Sequence, residues 1–222
     1  MKKYLFSFGI NYYAEKECLR MQEQARKGWS FVKMNSLGLL SFERKPAEEK
    51  QFAVDFYRGD NAPEEIQEYL DIYEASGWEY ISSYRKKYFF FKANLDVPKI
   101  FSDKASYEDR LKAESKWLFK RSFVVGLIGL LFTGVILAIR YFNTASEVLD
   151  FFLGMSLPFA LFPIMFLAVT WFMNSRYKNR ADSYQSPEAF AKKQRVLTDT
   201  LLCIFIGALI GFLIGLLFSI FI

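Results

Sequence analysis

Between Ser122 and Ile139 the chain runs eighteen residues, SFVVGLIGLLFTGVILAI, without one charge. A helix rising about 1.5 Å per residue nearly crosses a hydrocarbon core of roughly 30 Å over that length. Such a run does not belong on the outside of a domain in water. It splits the chain into a charged, mixed part before it and a mostly apolar part after it. Two more uncharged runs follow, Phe151 to Met173 and Leu201 to Ile222. The pattern predicts an all-α region of three transmembrane helices over 122–222, with spans at 122–139, 151–173 and 201–222.

Lysine and arginine placement orients these spans. Lys112, Lys116, Lys120 and Arg121 precede the first. The segment 140–150 holds only Arg140, and 174–200 holds Arg176, Lys178, Arg180, Lys192, Lys193 and Arg195. Positive-inside reasoning puts the N-terminus and the second loop in the cytoplasm and the C-terminus outside, in a multi-pass protein. Trp117, Lys120 and Arg121 sit at interface depth and read as membrane anchors. None of the three runs carries a charge, which argues against ion-coupled transport.

Composition narrows the chemistry further. The net charge of +5 is concentrated at membrane edges, so no nucleic-acid partner is expected. The absence of histidine excludes His-based triads and His metal sites. Cys18 and Cys203 are single and distant, which implies neither a disulfide framework nor a redox motif. No nucleophile–base pair, metal cluster or phosphate loop stands out, so the expectation is no enzyme, no catalytic residue, no metal and no cofactor. The start, MKKYLFSFGINYY, lacks a long apolar core and a cleavage site and reads as a first strand, not a signal peptide.

The first hundred residues carry a repeat. Tyr4 to Ile10 suits a strand, Tyr12 to Lys27 a helix, and Trp29 to Asn35 with Leu39 to Lys45 a hairpin. The order recurs: strand Gln51 to Arg58, helix Glu64 to Ser76 opened by Pro63, then Trp78 to Tyr84 with Lys87 to Ala93. Gly28-Trp29 and Gly77-Trp78 lie 49 residues apart at the same helix-to-strand junction, and Phe42 and Phe91 keep the same spacing. Two β-α-β-β units predict an α+β domain over 1–98, one antiparallel sheet with both helices on one face. A connector helix, 99–121, starting at Ser102 or Ser106, leads to the membrane.

Glycine followed by tryptophan has an ordinary role, a left-handed helix cap and a strand start packed under the helix. The alternative is a pseudo-symmetric aromatic pocket with Trp29 and Trp78 as walls, Tyr4, Tyr12, Tyr73 and Tyr80 as rim, and Glu43 as a carboxylate. The stretches SFERK, FAVDFYR, YLDIYEASGWEYISS, YFFFKA and PKIFSDKASYEDR resemble the DUF2812 family over roughly residues 2 to 115. The resemblance implies a bacterial protein, mostly from Firmicutes, often encoded beside PadR-type regulators, with a soluble N-terminal region and no assigned activity. The order of elements is also similar in outline to GyrI-like effector-binding domains, which hold amphipathic cations over aromatics. By that likeness Glu43, Glu74 or Glu79 would supply the carboxylate.

In the last run, Gly207, Gly211 and Gly215 repeat at a spacing that lets helices approach closely. Their partner is either the first span, through Gly126, Gly129 and Gly134, or a second copy in a homodimer. The expected partners are the bilayer and a cytoplasmic protein. The expected function is regulation or sensing, through a partner protein or an amphipathic small ligand bound by the cytoplasmic module. The alternative is envelope-stress or toxin immunity at the bacterial inner membrane.

Overall fold

A computed structural model describes residues 1–7, 9–142, 147–177, 179–184, 186–200, 203 and 207. Six strands and two helices form the repeat. These are β1 Lys2–Phe6, α1 Ile10–Arg26, β2 Trp29–Met34, β3 Leu39–Arg44, β4 Gln51–Phe56, α2 Pro63–Ala75, β5 Glu79–Tyr84 and β6 Tyr88–Ala93. The offset of 49 persists in fine detail. Phe31 pairs with Phe42 just before a bulge in β2, and Tyr80 pairs with Phe91 just before the corresponding bulge in β5. Gly28 and Gly77 both take positive φ, 75° and 85°, where a side chain would be strained.

The strands make two three-stranded antiparallel sheets, β1-β3-β2 and β4-β6-β5, instead of the single sheet expected. β2 lies against β5 without sharing a ladder. Both carry the bulge, and a bulge twists its strand and interrupts pairing, so the two edges meet without joining. The helices do not share a face either. Ala53, Tyr57, Trp78, Phe89 and Phe91 form a core packed by Ile66, Tyr69, Leu70 and Tyr73 of α2. α1 contributes nothing to that core yet lies against β4 and β2, so it covers the opposite face. That is why β4 is buried at all six positions and why Phe89, Phe90 and Phe91 are buried in succession. Each such phenylalanine stabilises the fold by roughly 1.5–3 kcal/mol. Phe90 meets Phe31 of the first sheet at 5.0 Å between ring centroids.

Contacts divide the chain into two units, one of residues 1–106 with 182–222, the other of 107–181. In the first unit, Asp103 opens the next helix, α3 (Lys104–Phe142). Its Oδ1 accepts the Ser106 N–H at 2.8 Å, and this bond holds its carboxyl below the usual range. Asp103, not Ser102 or Ser106, is therefore the capping side chain. Helix α5, residues 187–200, also belongs to this unit.

The second unit is α3 beyond Ser106 and α4 (Glu147–Arg176). The expected connector and first span are one helix of 39 residues, about 58 Å long. Its buried residues, Ser122, Gly126, Gly129 and Ile136, with half-buried Thr133, follow a heptad-like stripe. Thr133 Oγ1 meets Ser156 Oγ of α4 at 2.9 Å, and a Cβ on Gly126 would run into Pro163. Gly126 therefore serves the α3–α4 seam. An added Cβ on Gly207 would touch nothing within 4 Å, and Gly211 and Gly215 lie outside the described residues.

The three-helix transmembrane region does not stand. Among the described residues, one helix is long and apolar enough to cross a membrane, Lys104–Tyr141, with mean hydropathy 2.6 over its most apolar window. Within α4 the described residues include a shorter apolar helical segment, Pro163–Met173. Most of 201–222 lies outside the described residues.

Candidate functional site

The residues expected to line one pocket fall on three surfaces. Trp78 is 3% exposed, in the core under α2, and its indole N–H donates to the Pro98 carbonyl at 3.2 Å. Tyr73 stacks on Phe91 at 4.4 Å, and Tyr80 approaches the same ring at 6.1 Å. Trp29 is on the first sheet, half-buried beneath Lys3 and Arg44 at 5.5 and 5.3 Å. Tyr4 is exposed on β1, and Glu43 of β3 pairs with Lys2 at 3.8 Å. Tyr12 belongs to α1. No ring contact joins Trp29 to Trp78. The anchor Trp117 lies under the Arg121 guanidinium at 4.9 Å, and Lys120 is exposed.

The second repeat gathers its aromatic residues around a buried carboxylate. The hydroxyls of Tyr69 and Tyr73 both donate to Asp55 Oδ2 at 2.8 Å, and Asp55 Oδ1 accepts the Phe56 N–H at 2.7 Å. Burial, then the Asp55 charge, pushes both tyrosines far above their ordinary range, so they remain protonated donors. This cluster is filled and satisfied.

The first repeat is built differently, around an interruption in α1. The backbone leaves helical geometry at Tyr13, φ −126° and ψ 27°. The amide of Gln194, from α5, is inserted at the break. Its Nε2 donates to the Tyr12 carbonyl at 3.0 Å, and its Oε1 accepts the Lys16 N–H at 2.9 Å. One side chain thus replaces the helical bond between residues i and i+4, a recognised cause of a kink. Nε2 also donates to Glu15 Oε2 at 2.7 Å, and Lys16 Nζ donates to Thr198 Oγ1 at 2.8 Å. Gln194 and Thr198 are buried, 0% and 1% exposed.

Residues 182 positions apart are joined here, which the reading of 174–200 as an orienting loop missed. The signal was present: Ser186-Pro187 suits a helix start, and Phe190, Ala191, Gln194 and Thr198 fall on one buried face.

Two charged groups on α1 are perturbed. Burial pushes the Lys16 ammonium down, against the opposing pull of Glu17. Burial pushes the Glu17 carboxyl up, with Arg20, Lys16 and Ser7 drawing it partly back. Glu17 Oε1 has no hydrogen-bond partner among the described residues.

Beside the Gln194 contact, β1, α1 and α5 enclose a groove of about 340 Å³. Arg195 Nη1 reaches across to Glu23 Oε1 at 3.1 Å. Among the described residues no group of three His, Cys, Asp or Glu side chains is placed to hold a metal ion.

The family model "Protein of unknown function (DUF2812)" matches the chain over residues 13–123. The chain belongs to that family. No curated protein and no solved structure matches it. The match covers most of both repeats and runs into α3, whereas α5 lies beyond it.

Proposed function

We propose that this DUF2812 protein is a membrane-anchored binding module that regulates or senses without catalysis. Its α+β unit takes up a partner protein or an amphipathic small molecule at the α1–α5 face. α5 then transmits the event to the apolar segment that follows it. The observation that carries this is the insertion of Gln194 into α1, because it makes the shape of the domain depend on a helix leading directly into residues 201–222.

The anchor is α3. Its most apolar window is only 22% buried, unlike the core helix of a soluble protein. Phe123, Ile128, Leu131 and Val135 on α3 and Ile164, Met165 and Trp171 on α4 are all exposed. Water around so continuous an apolar surface is strongly unfavourable, and a bilayer removes the cost. Lys112, Lys116, Lys120 and Arg121 place the α+β unit on the cytoplasmic side of a bacterial membrane by the positive-inside rule.

Two measurements test the reading. Membranes washed with alkaline carbonate should retain the full chain, and release into the supernatant would end the anchoring claim. With both native cysteines removed, Glu23→Cys and Arg195→Cys should crosslink in native membranes. No crosslink under mild oxidation would show that α5 does not dock on α1.

A further inference from the structure

The two repeats put opposite contents at one place. At the helix-to-first-strand junction the second repeat has Asp55, Tyr69 and Tyr73, and the space is filled by aromatic rings. The equivalent positions in the first repeat, 49 residues earlier, are Phe6, Arg20 and Gln24, and here the groove is open. Its apolar wall is Leu5, Phe6, Leu19 and Ala191. Its charged wall is Lys16, Arg20, Lys27 and Arg195, opposed by Glu23 and Asp199. Cations outnumber carboxylates two to one, and the groove has the size of small-molecule sites.

The cations retain donor capacity. Arg20 Nη1 donates to the Phe6 carbonyl at 2.7 Å and to Glu17 Oε2 at 3.3 Å, and Arg195 Nη1 donates to Glu23, but each guanidinium carries five N–H donors. Lys27 is exposed, and its ammonium has no partner among the described residues. The Arg195–Glu23 pair is itself solvent-exposed in part, so a bidentate anion competes for it easily.

We propose that this groove binds an anionic amphiphile, a phosphate or carboxylate head on an apolar stem. This rests on the reading of the α1–α5 face as the binding site, and it reverses the charge expected of an aromatic pocket. The head sits among Arg20, Lys27 and Arg195, and the stem lies along Leu5, Leu19 and Ala191. Because the head draws Arg195 away from Glu23, occupancy changes how firmly α5 holds α1.

The test is calorimetric titration of the full chain in a neutral maltoside detergent. Dodecyl phosphate should bind, and Lys27→Glu and Arg195→Glu should each weaken it at least tenfold, with Lys27→Arg restoring it. Lys27 is an exposed side chain, so its loss of binding does not reflect misfolding. Equal binding of dodecyltrimethylammonium, equal binding of inorganic phosphate, or indifference to both charge reversals would overturn the proposal. Nanodiscs separate two sources of the same chemistry. If phosphatidic acid in the disc abolishes the titration that neutral discs allow, the occupant is a bilayer lipid; if the titration persists, it is a soluble amphiphile. Carbonate retention and the α1–α5 crosslink are independent of this result, so failure here leaves the anchoring and docking measurements standing.

Discussion

The two repeats share a chain path and a register down to the bulge, but they spend the same positions on different chemistry. In the second, a strand carboxylate, Asp55, takes hydrogen bonds from Tyr69 and Tyr73 on its helix. In the first, the equivalent strand residue is Phe6, and only its backbone carbonyl accepts, from Arg20. Ile66 packs against the second core where the first has Glu17. The second helix, α2, has no buried residue, whereas α1 is buried on two sides, against the strands and against α5. The second copy is thus a finished aromatic core, and the first adds to its apolar core a buried polar cluster completed by α5.

The largest test of this contrast uses the paired tryptophans. Trp78→Ala should cost about 3–5 kcal/mol because it empties a closed site. Trp29→Ala should cost about 1 kcal/mol or less, since that ring is half-exposed under two cations. Denaturation of the full chain followed by near-UV circular dichroism measures both, and equal losses would erase the distinction between copies.

Next is the strand position. Asp55→Ala leaves two buried tyrosine hydroxyls without their acceptor and should cost roughly 2–3 kcal/mol. Phe6→Ala should stay within about 0.5 kcal/mol, because its ring is exposed and the accepting carbonyl remains.

Gln194→Ala should loosen the first copy alone. The Tyr12 carbonyl and Lys16 N–H lose their partner, at about 1–3 kcal/mol, and hydrogen exchange at Lys16 should accelerate while α2 stays unchanged. Acceleration throughout both helices would mean the copies are not separable.

The smallest effect depends on pH. The folded-state pKa of Glu17 is raised, so its protonated form is the one the fold prefers. The stability it contributes is fully present below the unfolded value of 4.5 and is lost as pH rises through the folded value. Glu17→Gln should therefore stabilise the protein at neutral pH, and the gain should vanish on acidification below 4.5. A gain independent of pH would point to packing and not to charge.

The sequence carried the repeat, its offset, six strands, two helices and the glycine caps, because each rests on local patterning within about a dozen residues. It carried the apolar character of α3 for the same reason. Three things depended on contacts between distant residues. Two strands with matching bulges met without pairing, which made two sheets from one expected sheet. Trp78 went inside because Val97 and Ile100 close over its core, whereas Trp29 stayed under Lys3 and Arg44. Most of all, Gln194 reached α1 across 182 positions of chain. A glutamine in a basic loop has no periodicity that announces a missing backbone bond elsewhere. Only the kink at Tyr13, visible once α1 is folded, creates the vacancy that its amide fills.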